Sequence, residues 1–436
     1  MADTARTHRR LNASTLRGKR GRGLALLEIL TRHRGKFLVL VSALVLLPFG
    51  EPPATAMGSR PHAAPASTYF LSSNPETLLA QSLLDIQNNR LDLALKQIDA
   101  LLSIAPHFRL AHLIKGDLLI ARTHALASMG NDSGPAGQIS DLRDEARVRL
   151  QHYLEHAPLD RIPEYLLQFD PKQSHAIVVD TSKSRLYVYK NNNGEPQYVA
   201  DYYITSGKKG AEKLTEGDQR TPLGVYFVVN NLPKQKLADF YGAGAYPLDY
   251  PNAWDKRLGK NGHGIWLHGV PSDTYSRPPR ASNGCVVLAN EDLKIVEPYL
   301  QVGHTPVIIS SDIAWINHQT WKDQRDGLDK ALENWRRDWE SLNTERYLSH
   351  YSPQFTSGNQ NFAAWSAQKR AVNAGKTKVD VSLQNVSIFR YPGKENMVVV
   401  SFDQHYRSNN LVNQMHKRQY WLQEGQHWKI VFEGAA

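Results

Sequence analysis

Residues 75–157 place apolar side chains at the spacing of amphipathic helices. Leu91, Ala94, Leu95, Ile98, Leu101 and Leu102 share one helical stripe. Pro106 interrupts it, and Leu110, Leu113, Leu118 and Leu119 begin a second run. At Ala176 the period changes. Ala176-Ile177-Val178-Val179-Asp180 and Leu186-Tyr187-Val188-Tyr189 read as strands joined by a turn at Thr181–Ser184. Further strands are predicted at Tyr202–Thr205, Val225–Val229, Ile265–His268 and Val307–Ile309, with Gly- and Pro-containing loops between them. From Trp321 a helix returns, with Leu328, Ala331, Leu332, Trp335 and Trp339 on one face. Strands are then predicted at 379–389, 397–407 and 417–432, with Glu424-Gly425 at the tip of the last hairpin. The pattern predicts a multidomain α+β chain: a helical N-terminal domain, a mainly β domain, and an α+β cone at the C-terminus. Trp335, Trp339, Trp421 and Trp428 are expected in the core of the cone, with the lining of a ligand pocket as the alternative.

The first residues follow another logic. The net charge is +10, but residues 1–36 hold ten Lys or Arg and two acids, so +8 of it sits in that tail. A nucleic-acid-binding domain concentrates its charge on a folded face, and this distribution excludes that class. The apolar run at 37–49 is shorter than the ~20 residues of a membrane span. A basic flank, a short apolar run and Ala54-Thr55-Ala56 form the pattern of an export signal. Residues 1–56 are therefore read as a basic tail with a signal peptide or signal anchor, and 57–74 as a linker. The body is expected in the periplasm or cell envelope. It touches the inner membrane only if the signal stays uncleaved.

The chain has one cysteine, Cys285, which rules out an internal disulfide. The informative stretch is Gly264-Ile265-Trp266-Leu267-His268-Gly269 followed by Ala281-Ser282-Asn283-Gly284-Cys285-Val286. Strand side chains alternate faces. Leu267 can therefore be buried while His268 faces a cleft. Gly269 ends the strand and permits close approach of backbone or substrate. Gly284 permits a turn whose N–H groups, with that of Cys285, can hold an oxyanion; one such donor is worth about 3 kcal/mol. An imidazole beside a thiol favours the thiolate. The sixteen intervening residues include Pro271, Arg277, Pro278, Pro279 and Arg280, and such a loop can fold back to bring the two side chains together. His263, His268 and Cys285 lack the further ligands that zinc needs, so no metal is expected. Glu212, Glu216 and Asp218 sit among lysines and read as a solvated loop. Trp266 and Tyr250 are candidates for a substrate groove, with core packing and a structural turn as the alternatives.

These motifs resemble the YkuD family of L,D-transpeptidases, whose signature is His-Gly, a loop, then Ser/Thr-His-Gly-Cys. The match falls on His268, Gly269, Ser282, Gly284 and Cys285, with supporting elements at Val178–Tyr189, Arg220–Tyr226 and Thr305–Ile309. It covers residues 174–311. Asn283 stands where the family has His, and Val287 where it often has Arg; Arg277 or Arg280 is the candidate replacement for the latter. Residues 75–160 resemble a tetratricopeptide-type hairpin, with a plain bundle packed on the next domain or on a second copy as the alternative. Residues 321–436 resemble the SnoaL-like fold.

The resemblance implies a cysteine enzyme that needs no cofactor and acts on peptidoglycan stem peptides. Cys285 would attack the carbonyl of the third residue of a tetrapeptide stem, between a diaminopimelate-type centre and D-alanine. His268 would be the base, the Gly269 carbonyl would fix its tautomer, and Ser282, Asn283 and Gly284 would support the turn. An amine acceptor, on a second stem or an envelope protein, gives a transpeptidase. Water gives a carboxypeptidase or amidase. A non-catalytic peptidoglycan-binding module is the third reading, and a homodimer is open.

Overall fold

The structure is a computed structural model that describes residues 74–124, 128–130, 136–393 and 396–436. The signal or anchor reading of 1–56 and all but the last residue of the 57–74 linker lie outside the described residues. Among the described residues no helix is long and apolar enough to cross a membrane.

Four helices come first: α1 (Pro75–Gln87), α2 (Leu91–Ile104), α3 (Arg109–Ile120) and α4 (Ala136–Glu155). Asn74 caps α1, its side chain accepting from Glu76 N–H, and Pro75 occupies the first turn, where its missing N–H costs nothing. The expected stripe is only partly covered. Ala94, Ile98 and Leu101 are buried, Leu91, Leu95 and Leu102 are half-buried, and Leu119 is exposed. Periodicity marks a face; the size of the neighbour decides how much of it is covered. The helices pack on the β domain that follows, where α4 meets it through Glu145 and Arg149.

The β domain comprises β1 (Ile162–Pro163), β2 (Leu166–Gln168), β3 (His175–Asp180), β4 (Arg185–Asn192), β5 (Glu195–Tyr203), β6 (Ser206–Gly207), β7 (Gly224–Phe227), β8 (Leu232–Pro233) and β9 (Gly244–Pro247). After these come α5 (Ala253–Arg257), β10 (Trp266–His268), β11 (Arg280–Ser282), β12 (Val286–Val287), α6 (Asn290–Val296), β13 (Pro306–Ser310) and β14 (Trp315–Ile316). A five-stranded sheet runs β5-β4-β3-β13-β7, and a four-stranded sheet runs β12-β10-β9-β8. The strand expected at Tyr202–Thr205 is the end of β5, which begins at Glu195 after the Asn193-Gly194 turn.

The continuous apolar run in β3 has a physical cause. Ile177 and Val179 face the core shared with Leu267 and Val286, while Ala176 and Val178 face a second core shared with the C-terminal domain. A strand buried on both faces loses its polar alternation.

The C-terminal part comprises α7 (His318–Glu340), α8 (Thr344–Leu348), β15 (Tyr351–Ser357), β16 (Gln360–Asn361), α9 (Phe362–Ala374), β17 (Val379–Arg390), β18 (Met397–Ser408), β19 (Leu411–Glu424) and β20 (His427–Ala435). Trp321, Leu328, Leu332, Trp335 and Trp339 of α7 are buried against the sheet. The segment expected as 417–432 is two strands that begin earlier, at Leu411, with the turn at the expected tip. The seven-stranded sheet runs β16-β15-β20-β19-β18-β17-β2, so one of its edge strands, β2, is supplied by the β domain. No local pattern foretells a three-residue strand that pairs with a segment more than two hundred residues away.

Candidate active site

β10 lies between β9 and β12. It pairs antiparallel with β9, placing His268 opposite Ala245, and parallel with β12, placing His268 opposite Val287. Cys285 immediately precedes β12, so the parallel register sets it beside the start of β10. That pairing brings Cys285 and His268 within about two residues of strand rise, ~6–7 Å along the strand. The half-buried thiol donates to the Gly264 carbonyl at 3.3 Å.

Alternation holds for Leu267, which is fully buried. His268 is more enclosed than expected: it is only 1% exposed. Phe240 and Tyr241, on the short turn Asp239–Tyr241, cover it with ring centroids 5.8 and 5.1 Å from the imidazole. Tyr241 also lies 4.9 Å from the half-buried Trp266. Nothing local in the chain foretells this cover, because a three-residue turn carries no periodicity.

His268 Nδ1 sits 2.6 Å from the Gly269 carbonyl oxygen. A carbonyl only accepts, so Nδ1 carries the proton and Nε2 has a free lone pair. Burial pushes the His268 pKa down to about 4, helped by the charge of Arg277 and opposed by the Gly269 hydrogen bond. Burial raises the Cys285 pKa; the Trp266 N–H, Arg277 and Lys213 oppose that rise. The resting pair is therefore a neutral thiol and a neutral imidazole. The thiolate that a neighbouring imidazole favours is opposed here, because burial disfavours the charged form of each group.

The turn before the cysteine is closed by Ser282. Its hydroxyl donates to the Cys285 carbonyl at 2.6 Å and accepts from Gly284 N–H at 3.1 Å. Gly284 N–H is thus engaged, contrary to its expected part in an oxyanion hole. Gly284 has φ +126°, and a Cβ there would lie 2.7 Å from the Arg220 carbonyl oxygen, so only glycine fits. Gly269 is needed for space: a Cβ would meet Asn290 Oδ1 at 2.2 Å. Asn283 is exposed, and among the described residues its side chain has no hydrogen-bond partner.

Three supporting residues escaped the sequence reading. Thr221 donates its hydroxyl to the Gly284 carbonyl at 3.0 Å and accepts from Gly207 N–H at 2.9 Å. Asn290 accepts from Ala243 N–H at 2.8 Å and donates to the Val270 carbonyl at 2.9 Å, bracing the end of β10. Lys213, expected in a solvated loop, is buried and pinned to Asp218 at 2.8 Å, while Glu212 and Glu216 of the same loop are exposed. Thr221 lies within a motif already singled out; nothing in the sequence marks the other two.

Among the groove candidates, Arg277 is half-buried, with its guanidinium 4.7 Å from the Phe240 ring centroid, and its charge reaches both Cys285 and His268. Arg280 is exposed. Tyr250 is a correction: it is 5% exposed, packs on Tyr226, and its hydroxyl is tied to the Asn261 carbonyl, so it belongs to the core. His263 is exposed and turned toward Glu216.

Residues 174–309 match the YkuD family, described as the L,D-transpeptidase catalytic domain, and residues 327–434 match the Cds6 C-terminal NTF2-like domain. Among solved structures, Bd1075 of Bdellovibrio bacteriovorus is 30% identical, with a TM-score of 0.57, over 64% of this chain and 98% of that one. The helical cell shape determining protein Pgp2 of Campylobacter jejuni is 24% identical, with a TM-score of 0.53, over 62% of this chain and 95% of that one. At that identity Pgp2 speaks for the fold alone. A search of curated proteins found no match.

Proposed function

Because this chain belongs to the YkuD family of L,D-transpeptidases and carries a C-terminal NTF2-like domain, we propose that it is an exported cell-envelope enzyme that forms an acyl-enzyme on peptidoglycan tetrapeptide stems and passes it to an amine acceptor. The observation that carries this reading is the β10–β12 pairing, which sets Cys285 beside a histidine whose Nε2 is free.

Cys285 is the nucleophile and His268 the base. As Sγ bonds to the carbonyl carbon of the third stem residue, the thiol proton passes to His268 Nε2, so charge develops only as the bond forms. The thiol first gives up its hydrogen bond to Gly264. Cys285 N–H supplies an oxyanion donor; Gly284 N–H joins it only by leaving Ser282. Collapse of the tetrahedral intermediate breaks the C–N bond, and His268 returns the proton to the departing D-alanine amine. An amine on a second stem or an envelope protein then takes the acyl group and frees the thiol. Arg277, whose charge reaches the thiol, holds the carboxylate of the stem in place of the arginine that Val287 lacks; Arg280 faces solvent and is not needed for this.

Hydrolysis of the same acyl-enzyme is the second reading. The Phe240–Tyr241 cover favours it, since it narrows the approach to His268 and water is the smaller acceptor.

The test is incubation of the purified protein with disaccharide-tetrapeptide, followed by mass spectrometry. Cross-linked dimer, or exchange with an added D-amino acid, is the expected result. Tripeptide without dimer would establish the hydrolase. Cys285→Ala should abolish both products, and activity retained in that variant would overturn the mechanism.

A further inference from the structure

The loop that carries Arg277 is built partly by the helical domain. Tyr275 packs in the helical core, its ring 4.6 Å from Phe108, and its N–H reaches the His107 carbonyl at 3.4 Å. Ser276 is buried and donates its hydroxyl to Glu145 Oε1 of α4 at 2.6 Å. Glu145 is 1% exposed and also receives Arg149, through Nε at 3.1 Å and a terminal nitrogen at 3.0 Å. Arg149 extends to Glu76 of α1 at 3.1 Å and lies 3.6 Å from the Tyr203 ring centroid. On the other side, the Tyr203 hydroxyl donates to the Arg277 carbonyl at 2.9 Å, and the Thr205 hydroxyl is shared between the Arg277 and Pro278 carbonyls. The loop is thus held at the Ser276 side chain from α4 and at the Arg277 carbonyl from the end of β5 and the residues after it, while the Arg277 guanidinium lies over Phe240.

A buried carboxylate–guanidinium network is a weak device for stability, since desolvation of both charges offsets most of their attraction. Its distinctive product is fixed geometry. A guanidinium that recognises a carboxylate needs that, because two parallel N–H···O bonds tolerate little rotation.

We propose that Ser276 and Glu145 are positioning residues: the helical domain sets the Arg277 loop through the Ser276–Glu145 hydrogen bond and thereby tunes recognition of the stem's carboxylate at the Cys285 site. This rests on the reading of Arg277 as the carboxylate anchor. It gives the helical domain a share in substrate selection although, among the described residues, none of its side chains makes a hydrogen bond or ring contact with Cys285 or His268.

The experiment is a double-mutant cycle on the full chain with disaccharide-tetrapeptide, reading KM and kcat separately for wild type, Ser276→Ala, Arg277→Ala and the double variant. Loss of a hydrogen bond to a charged group should raise KM about tenfold in Ser276→Ala, with kcat little changed. In the Arg277→Ala background the same change should add nothing, because the two residues act through one contact. Ser276→Thr, which keeps the hydroxyl, should restore KM. An equal KM rise in both backgrounds, or a wild-type KM in Ser276→Ala, overturns the positioning role and leaves the Arg277 reading intact. A wild-type KM in Arg277→Ala overturns that reading and the proposal with it. If Ser276→Ala does not fold, Ser276→Cys, whose thiol fills the site but is a poor donor to Glu145, enters the same cycle and is judged by the same outcomes.

Discussion

At the scale of the residue, burial sets the chemistry. With its pKa pushed down to about 4, His268 is a neutral base throughout the range in which an ordinary histidine titrates. The base form exists above the folded pKa, so kcat/KM should hold steady as pH falls through 6.5 and decline only below about pH 5. A decline centred near 6.5 would contradict this. Stability follows the same group. Between pH 6.5 and about 4 the unfolded chain takes up a proton that the folded chain refuses, so stability is lost as pH falls through that window. The full effect is up to about 3 kcal/mol. His268→Gln should flatten that part of the stability curve, as measured by denaturant unfolding across the pH series.

At the scale of the element, the Asp239–Tyr241 turn decides how far His268 is shielded. Phe240 is itself 46% exposed, so it contributes little to the core while closing water off from the imidazole. Phe240→Ala should let water in, raise the His268 pKa toward the ordinary histidine range, and move the acid limb of kcat/KM up with it. An unmoved limb would mean that Tyr241 and the β10 backbone supply the shielding. The long elements were legible because their period is sustained: α7 presents its expected face with Ala331 half-buried, and β3 and β4 lie where their aromatic and β-branched runs indicated. The short ones, β2 and the aromatic cover, were not, since two or three residues carry no period and their partners are distant in sequence.

At the scale of the whole molecule, the five-stranded sheet is buried from both sides. Val178, Val225 and Ile308 lie in the same core as Trp335, Phe389 and Trp421 of the C-terminal domain. Removing the chain beyond Ser311 would expose that face as one contiguous apolar patch, of the kind soluble monomers rarely carry. The shortened protein is expected to aggregate or to lose its near-ultraviolet circular dichroism. A soluble, active fragment would show that the C-terminal domain is not needed for the fold of the sheet.

The sequence by itself determined the three kinds of domain, the strand that carries His268, the glycines around the cysteine, and the family to which those motifs point. All of these rest on local spacing or on residue types that fixed chemistry requires. Only the tertiary structure decided that Gly284 N–H is already engaged, that Tyr250 is core, that Lys213 is buried, and that Arg277 rather than Arg280 reaches the thiol. Each depends on which distant segment happens to lie opposite. That follows from the parallel pairing of β10 with β12 and from the packing of α4 on the Arg277 loop, and neither leaves a periodic trace in the chain.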